Sequence, residues 1–286
     1  MLRIKSSALE KREGKHFFKN KPFIGFAYRI SDSNYLNTKR YFQGLYVNNT
    51  PEELPLFNIN GGQTSTVSAE RLTPSDSYTG EPFILLGQPY NGVALEFENE
   101  FCTGQHLYQN GMCIATISWY MSGQIEALEC DKQPLFLEVE WTKDGHLSFL
   151  DVLRTDTYSV RIKYDAKGYI ESICGENDVE SFISDLKTEE LLHYISDDLS
   201  KKKRLSEKVF FSGNIEKLIQ TFVDFSSINS LSQLTLFHTT IPGSYLSKIL
   251  ELNKIEILDI TGCPNLMPLI RVHLDKTPDC TLILNE

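Results

Sequence analysis

A stretch near the start of the chain, Pro22-Phe23-Ile24-Gly25-Phe26-Ala27, returns 67 residues later as Pro89-Tyr90-Asn91-Gly92-Val93-Ala94. The motif Tyr41-x-x-Gly44 returns at the same offset as Tyr108-x-x-Gly111, so no insertion separates the two copies between these points. A second and shorter repeat lies at the other end of the chain. Repeats build extended surfaces that bind other molecules more often than they build catalytic pockets. The sequence therefore directs attention to a binding surface.

The shorter repeat has a period of 24 residues. Leu234-x-Leu236, Leu258-x-Ile260 and Leu282-x-Leu284 follow one another at this spacing. Phe210 lies 24 residues before Leu234, and we expect it to open the array. Between two of these strands, residues 245–252 carry the apolar spacing of a short amphipathic helix.

Between residues 20 and 173 the pattern is one of strands and tight turns. Glycines at positions 111, 123, 145 and 168 each follow an aromatic residue by three or four positions, and alternating apolar strands flank them. Asn110-Gly111 and Asp144-Gly145 are dipeptides that accept the positive φ of a hairpin turn. This predicts a meander of antiparallel hairpins. Residues 48–82 interrupt it with a long loop, which we expect to be ordered and to hold short strands around Leu54 and Ile59.

After residue 177 the spacing of the apolar residues changes from that of strands to that of helices. Asp178 is expected to cap a helix whose apolar face holds Val179, Phe182, Ile183 and Leu186. Thr188 is expected to cap a second helix, which ends at the basic cluster of residues 201–204, as the helix dipole favours.

The aromatic-x-x-Gly hairpins resemble the divergent MORN-type repeats of bacterial antitoxin-like proteins. The resemblance covers about residues 22–173 and is best at Tyr108-Gln-Asn-Gly111 and Tyr120-Met-Ser-Gly123. The uneven spacing of these turns departs from the family and favours an irregular curved sheet. The resemblance implies a role in immunity, in which such a protein neutralises a toxin.

The last 80 residues resemble a short leucine-rich repeat segment, in which Cys263 occupies the position where that motif has Asn or Cys. A plain β-α-β arrangement whose apolar positions coincide is the alternative. Together, the patterns predict an α+β fold: an antiparallel meander over residues 1–176, then, over 177–286, a helical connector and a short leucine-rich-repeat-like β/α solenoid.

The composition describes a water-soluble chain with an acidic bias. Of its 286 residues, 38 are Asp or Glu and 28 are Lys or Arg, giving a formal charge of −10. This argues against a generic nucleic-acid binder and fits a basic protein partner. Residues 1–21 are the exception, with a local charge of +5. They are interpreted as a solvated tail or edge strand, with contact to a membrane or nucleic acid as the alternative.

The six cysteines are scattered, and none forms a Cys-x-x-Cys pair. They are typical of reduced thiols in a cytoplasmic protein, and their spacing predicts neither a zinc site nor a cofactor. The chain has no apolar run of transmembrane length and shows no secretory signal.

No catalytic motif is recognisable in the sequence, and its six histidines are dispersed. Cys263 and His238 are candidates for a nucleophile and its base on adjacent coils. A small buried cysteine beside a strand-flanking histidine is the simpler interpretation. We therefore expect a protein that is not an enzyme.

Candidate partner-binding residues are those that alternate with the leucines of the 24-residue array, since they face away from the core. They are Gln233, Thr235, Phe237, Glu256, Ile257 and Asp259, with Thr261, Ile283 and Asn285 beside them. Trp119, Tyr120 and Trp141 are large aromatic residues next to turns. Ordinary packing in the sheet is one interpretation of them, and they are further candidates for partner binding if they are exposed.

Two hypotheses about function follow. The first is a cytoplasmic immunity or antitoxin-like protein that occludes a basic toxin domain encoded nearby. The second is a secreted effector or adaptor that uses leucine-rich coils to grip a host protein. An enzyme, or a membrane-peripheral protein, is a weaker alternative.

Overall fold

The computed structural model describes residues 1–32, 36–48, 65–75, 82–188, 195, 199–225, 231–252 and 254–284. Contacts between Cα atoms divide the chain into two units, residues 1–132 and residues 133–286. The predicted boundary after residue 176 lies inside the second unit, at the end of a strand, and stays a prediction.

The first unit is built of short strands. They are β1 (Leu2–Lys5), β2 (Glu10–Arg12), β3 (Lys15–Phe18), β4 (Lys21–Pro22), β5 (Gly25–Ile30), β6 (Leu36–Phe42), β7 (Leu45–Asn48), β8 (Thr66–Ser68), β9 (Thr73–Pro74), β10 (Phe83–Leu85), β11 (Gln88–Pro89), β12 (Gly92–Glu98), β13 (Phe101–Gln109), β14 (Met112–Trp119) and β15 (Ile125–Lys132).

The 67-residue repeat is a structural duplication, which we call copy 1 (residues 1–48) and copy 2 (residues 65–115). In each copy a short strand, β1 or β8, pairs in parallel with a longer one, β5 or β12. A small three-stranded antiparallel sheet lies between them in sequence, β2–β4 in copy 1 and β9–β11 in copy 2. The longer strand then continues into antiparallel pairs.

Equivalent side chains pack in the two copies. The rings of Phe23 and Tyr41 lie 5.7 Å apart and tilted by 58°, and those of Tyr90 and Tyr108 lie 5.8 Å apart and tilted by 57°. Their backbone hydrogen bonds also match, since Gly44 donates to Phe23 and Gly111 donates to Tyr90, each at 2.8 Å. The recurring motif therefore specifies the same local packing twice.

The glycine of each six-residue motif allows a close approach of the parallel strand. A Cβ atom on Gly25 would lie 2.2 Å from the carbonyl oxygen of Leu2, and one on Gly92 would lie 2.4 Å from that of Ser65. Both glycines also have φ near +150°. Because other residues rarely adopt this backbone conformation, glycine is required at both positions for two reasons.

The second unit is one mixed sheet with helices. Its elements are β16 (Leu135–Trp141), β17 (Leu147–Arg154), β18 (Tyr158–Tyr164), β19 (Ile170–Asn177), α1 (Val179–Thr188), β20 (Leu205–Asn214), α2 (Glu216–Phe222), β21 (Gln233–Thr240), α3 (Gly243–Leu252), β22 (Ile257–Asp259), α4 (Met267–Leu274) and β23 (Thr281–Ile283). Neighbours in sequence are neighbours in the sheet, antiparallel from β16 to β19 and parallel from β19 to β23.

The predicted fold class is wrong. Strands dominate the described residues of both units, and both units contain mixed sheet rather than a meander followed by a separate solenoid. The parallel strand β20 adds directly to β19, the last hairpin strand, so hairpins and parallel strands form one layer. A crossover through α1 makes this possible, because parallel neighbours need a long connection.

Several local predictions are confirmed. The predicted hairpin turns are present, with positive φ at glycines 111, 123, 145 and 168. Helix α1 begins after Asp178, whose carboxylate accepts hydrogen bonds from the backbone and hydroxyl of Ser181. The helix expected at residues 245–252 corresponds to α3. Of the two forms expected for residues 1–21, a solvated tail or an edge strand, the structure shows strands. β2 and β4 are the edge strands of a three-stranded sheet, whereas β1 pairs with both β5 and β13.

Other predictions lie outside the described residues. They are the strands expected around Leu54 and Ile59, and most of the helix expected after Thr188.

Candidate protein-binding face

The sheet of the second unit has one face packed against helices. Tyr158 in β18 contacts Phe182 of α1 with ring centroids 5.5 Å apart, and Leu218 and Ile219 of α2 are fully buried. Leu234 and Leu258, which lie in register on β21 and β22, are also fully buried on this side. Because side chains alternate along a strand, the residues between these point to the other side, which we call the open face.

Strand register defines a long row of side chains across the open face. The row runs through Glu140, Phe149, Lys163, Ser172, Phe210, Thr235, Asp259 and Ile283, one residue per strand from β16 to β23. With a strand spacing of about 4.8 Å, it is roughly 34 Å long. This length suits one side of an ordinary protein interface.

A second row lies beside the first and holds an ion pair. It runs through Glu138, Asp151, Arg161, Cys174, Ser212 and Phe237. The Nε atom of Arg161 donates to the carboxylate of Asp151 at 2.9 Å, and a second guanidinium nitrogen donates to the same oxygen. This contact raises the pKa of Arg161, while burial raises the pKa of the neighbouring Cys174 thiol.

Two phenylalanines form the apolar centre of the face. Phe210 and Phe237 have 37% and 41% of their surface exposed, and their rings are stacked with centroids 6.4 Å apart. Exposed aromatic rings of this kind are typical anchors of protein interfaces. On the antiparallel strands β17 and β18 of the same face, the ammonium of Lys163 lies 5.9 Å from the centroid of the Phe149 ring.

Asp259 supplies an acidic group beside this apolar centre. Its Oδ1 atom accepts hydrogen bonds from the hydroxyl of Thr261 at 2.7 Å and from the backbone of Thr261 at 3.2 Å. These bonds orient a half-buried carboxylate at the carboxyl end of β22. It therefore presents a fixed negative charge next to exposed apolar surface.

The charge of the chain is concentrated in the unit that carries this face. Residues 133–286 hold 24 acidic and 16 basic side chains, a formal charge of −8 out of the total of −10. Such a field attracts basic partners and speeds their encounter.

The structure brings five of the predicted binding residues together. Gln233, Thr235, Phe237, Ile257 and Asp259 lie on the open face, on the adjacent strands β21 and β22. Glu256 is exposed just before β22, and its carbonyl oxygen accepts a hydrogen bond from Thr281. Asn285 lies outside the described residues.

The predicted aromatic candidates at turns lie elsewhere. Trp119 is only 2% exposed, beneath the guanidinium of Arg3 at 4.5 Å, and Trp141 is 8% exposed on the buried side of β16. Both tryptophans pack in the interior, so neither meets the condition of exposure. Tyr120 is half-buried in the turn that ends at Gly123.

The candidate nucleophile Cys263 is 1% exposed. Its sulfur accepts a hydrogen bond from the backbone of Thr239 at 3.2 Å and lies 3.7 Å from the carbonyl oxygen of Leu236. The ring of His238 packs against Phe237, with centroids 4.5 Å apart. These contacts place the thiol in a structural role that links β21 to the turn after β22.

Sequence reasoning missed part of the face. Phe149 and Lys163 were not candidates, because the hairpins and the 24-residue array were treated as separate layers. Phe210 is expected from its spacing to open the array of Leu234, Leu258 and Leu282. The register instead pairs Leu234 with Val209 and turns Phe210 to the open face. A shift of one residue moves every side chain of a strand to the other face of the sheet. The apolar residues Val209 and Phe211, which flank Phe210, could have indicated the correct register.

No set of three or more metal-ligating side chains occurs within the described ranges. None of the helices in the part of the chain that the structure describes is both long and apolar enough to cross a membrane.

No protein-family model matches the chain, and no curated protein matches its sequence. Among solved structures, the glycosylation-associated protein complex Gap123 of Streptococcus agalactiae is similar over 71% of this chain and 38% of its own, with 13% identity and a TM-score of 0.22. A structure of accessory secretory proteins 1, 2 and 3 of Streptococcus pneumoniae is similar over 80% and 46%, with 10% identity and a TM-score of 0.25. The chain spans less than half the length of either, and TM-scores this low carry no inference about function.

Proposed function

We propose that this protein binds a basic protein partner on the open face of its second unit, as a cytoplasmic immunity or antitoxin-like protein does with a toxin domain. The observation that carries the proposal is the exposed Phe210–Phe237 stack. Phe210 lies in the first row, between Lys163 and Asp259, and Phe237 lies in the second row. An apolar centre with a charged surround is the usual composition of a protein interface.

Charge supports a basic partner. The unit that carries the face has a charge of −8, and the Arg161 guanidinium on the face is already paired with Asp151. Asp259, in contrast, accepts two hydrogen bonds from Thr261, which is a neutral residue. These bonds do not neutralise the negative charge of its carboxylate. A Lys or Arg of a partner would complement it.

The immunity role rests on the resemblance of the hairpins to MORN-type repeats of antitoxin-like proteins. It is tested by co-expressing the chain with the product of the neighbouring gene. We expect a stable complex, rescue of growth if that product is toxic, and an affinity that falls as salt rises from about 0.05 to 0.5 M, since exposed charges are screened. Absence of both complex and rescue would refute the role.

The surface itself is tested separately from the identity of the partner. Binding should place Phe210 and Phe237 out of contact with water, so their backbone amides and those of neighbouring strand residues should exchange hydrogen more slowly in the complex. Protection confined to the helices α1–α4, with none in β20 and β21, would show that the partner binds elsewhere.

A further inference from the structure

Copy 1 of the duplication contains a cleft of about 430 Å³. Its lining is polar and aromatic: Lys11, His16, Asn37, Lys39, Tyr41 and Tyr46. The volume lies in the range of small-molecule sites, and none of these residues belongs to the open face of the second unit. The site is therefore independent of the proposed protein-binding role.

Strand pairing brings these side chains together. Lys11 lies opposite His16 on the β2–β3 hairpin, and Tyr41 lies opposite Tyr46 on β6 and β7. Asn37 and Lys39 precede Tyr41 on β6 at alternate positions and so share its face. Two contacts join the β2–β3 hairpin to the β6–β7 hairpin. The backbone N–H of His16 donates to the carbonyl oxygen of Gly44 at 2.7 Å, and the centroids of the His16 and Tyr41 rings are 4.7 Å apart.

The cleft is rich in hydrogen-bond donors. Lys11 and Lys39 are exposed ammonium groups on either side of it. The Nδ1 atom of His16 is buried and has no hydrogen-bond partner among the described residues. Burial, together with Tyr46, raises the pKa of the Tyr41 phenol, which keeps its proton available for donation. His16 therefore lines the cleft with an imidazole whose hydrogen-bonding capacity is not used up by the described residues.

Copy 2 keeps the phenol of Tyr41, as Tyr108, but lacks most of the other donors. Phe83 takes the place of His16, His106 that of Lys39, and Cys113 that of Tyr46. The Phe83 ring packs on Tyr108 at 5.3 Å, and both Phe83 and Cys113 join the apolar core of that copy. The ring nitrogens of His106 already contact Glu96 at 3.3 Å and Thr116 at 3.2 Å. The scaffold does not require polar residues here, so those of copy 1 have another purpose.

The net charges of the two copies also favour an anion site in copy 1 only. Residues 1–48 contain ten basic and three acidic side chains, a charge of +7. Residues 65–115 contain one basic and six acidic side chains, a charge of −5. Copy 1 is thus the part of an acidic protein whose local charge favours an anion.

We propose that the copy 1 cleft binds a small phosphate monoester. Lys11, Lys39 and the His16 ring would contact the phosphoryl oxygens, since ammonium and imidazole donors make strong charge-assisted hydrogen bonds to phosphate. The ring of Tyr46, which is 46% exposed and 6.1 Å from that of Tyr41, provides a flat wall for a planar group on the ester.

The test is calorimetric titration of the full chain with inorganic phosphate, phenyl phosphate and adenosine monophosphate. We expect the two esters to bind about tenfold more tightly than inorganic phosphate, and phenol and adenosine to give no heat. Equal affinity for inorganic phosphate and both esters, or no heat from any phosphate at ~10 mM, would overturn the proposal.

Variants assign the binding to the cleft. His16→Phe copies the residue of copy 2 and should fold normally, while Lys39→Ala removes one ammonium; each should weaken ester binding about tenfold. Lys21→Ala is the matched control, because Lys21 is exposed on copy 1 but does not line the cleft, and it should change the affinity less than twofold. Unchanged binding by both cleft variants, or an equal loss in the control, would contradict the assignment.

Discussion

The rings of Phe210 and Phe237 stack 6.4 Å apart on adjacent parallel strands, inclined by 26°, with more than a third of each side chain exposed. Burying one such ring in an interface contributes about 2 kcal/mol or more. The pair lies on the surface of the second unit that is opposite to its helices. It therefore marks the centre of the surface on which we expect the partner.

Asp259 should control the rate of association. Asp259→Asn removes the charge but keeps an oxygen that can accept from Thr261, so the melting temperature should be unchanged while the association rate falls several-fold at low salt. The rate is measured by surface plasmon resonance at two salt concentrations.

A second variant, Asp259→Ala, distinguishes the contribution of Asp259 to stability from its contribution to binding. Asp259→Ala also removes the two bonds to Thr261 and should lower the free energy of unfolding by about 1 kcal/mol. If Asp259→Asn lowers stability and leaves association unchanged, the residue is structural only.

The junction between β19 and β20 should be sensitive to any side chain at Gly213. A Cβ atom there would lie 2.0 Å from the carbonyl oxygen of Gly175, and φ is +74°. Gly213→Ala should therefore lower the free energy of unfolding by about 3 kcal/mol or more, measured by urea denaturation.

Gly168 offers the matched control for this substitution. Its φ is +76°, but a Cβ atom would lie 3.7 Å from His146, an ordinary contact. Gly168→Ala should cost only about 1 kcal/mol, for the backbone conformation alone. Equal losses in the two variants would mean that the close approach of β19 and β20 is not what constrains the junction.

Two thiols of the first unit should be unreactive in the folded protein. Burial raises the pKa of Cys102 to about 12 and that of Cys130 to about 11. Since the thiolate is the nucleophile, iodoacetamide at pH 8 should label neither residue until the protein is denatured, as read by peptide mass spectrometry. Labelling at the rate of a free thiol would show that this core opens readily.

The same shifts give a pH dependence of stability. The thiols of the unfolded chain lose their protons near pH 9, whereas the folded protein holds them to higher pH. Their contribution to stability is complete below pH 9 and is lost as the pH rises toward 12. Replacing Cys102 with Ala should reduce this loss, which urea titrations at several pH values would measure.

Local features of the fold could be predicted from the sequence, and long-range ones could not. The turns at Gly111 and Gly145 follow from dipeptides that accept positive φ, and the cap at Asp178 follows from its side chain. The parallel pairing of β1 with β5 has no such signal, because a strand of four residues has the same alternation in either direction.

The candidate site was predictable only where a repeat fixed the register. The 24-residue spacing placed Thr235 and Asp259 on adjacent strands, and they lie in register. It failed at Phe210, where the true spacing of equivalent core residues, Val209 and Leu234, is 25. The burial of Trp119 could not be predicted, because Arg3, whose guanidinium lies over its ring, is 116 positions earlier in the sequence.

The central claim is that a partner binds on the open face around Phe210 and Phe237. The most direct test compares the dissociation constants of the wild type and the Phe210→Ala/Phe237→Ala variant for the product of the neighbouring gene. Val272→Ala, an exposed apolar change on helix α4, is the control. We predict an affinity about a hundredfold weaker for the double variant, with an unchanged melting temperature and a control that binds like the wild type. An unchanged dissociation constant in a folded double variant would contradict the account.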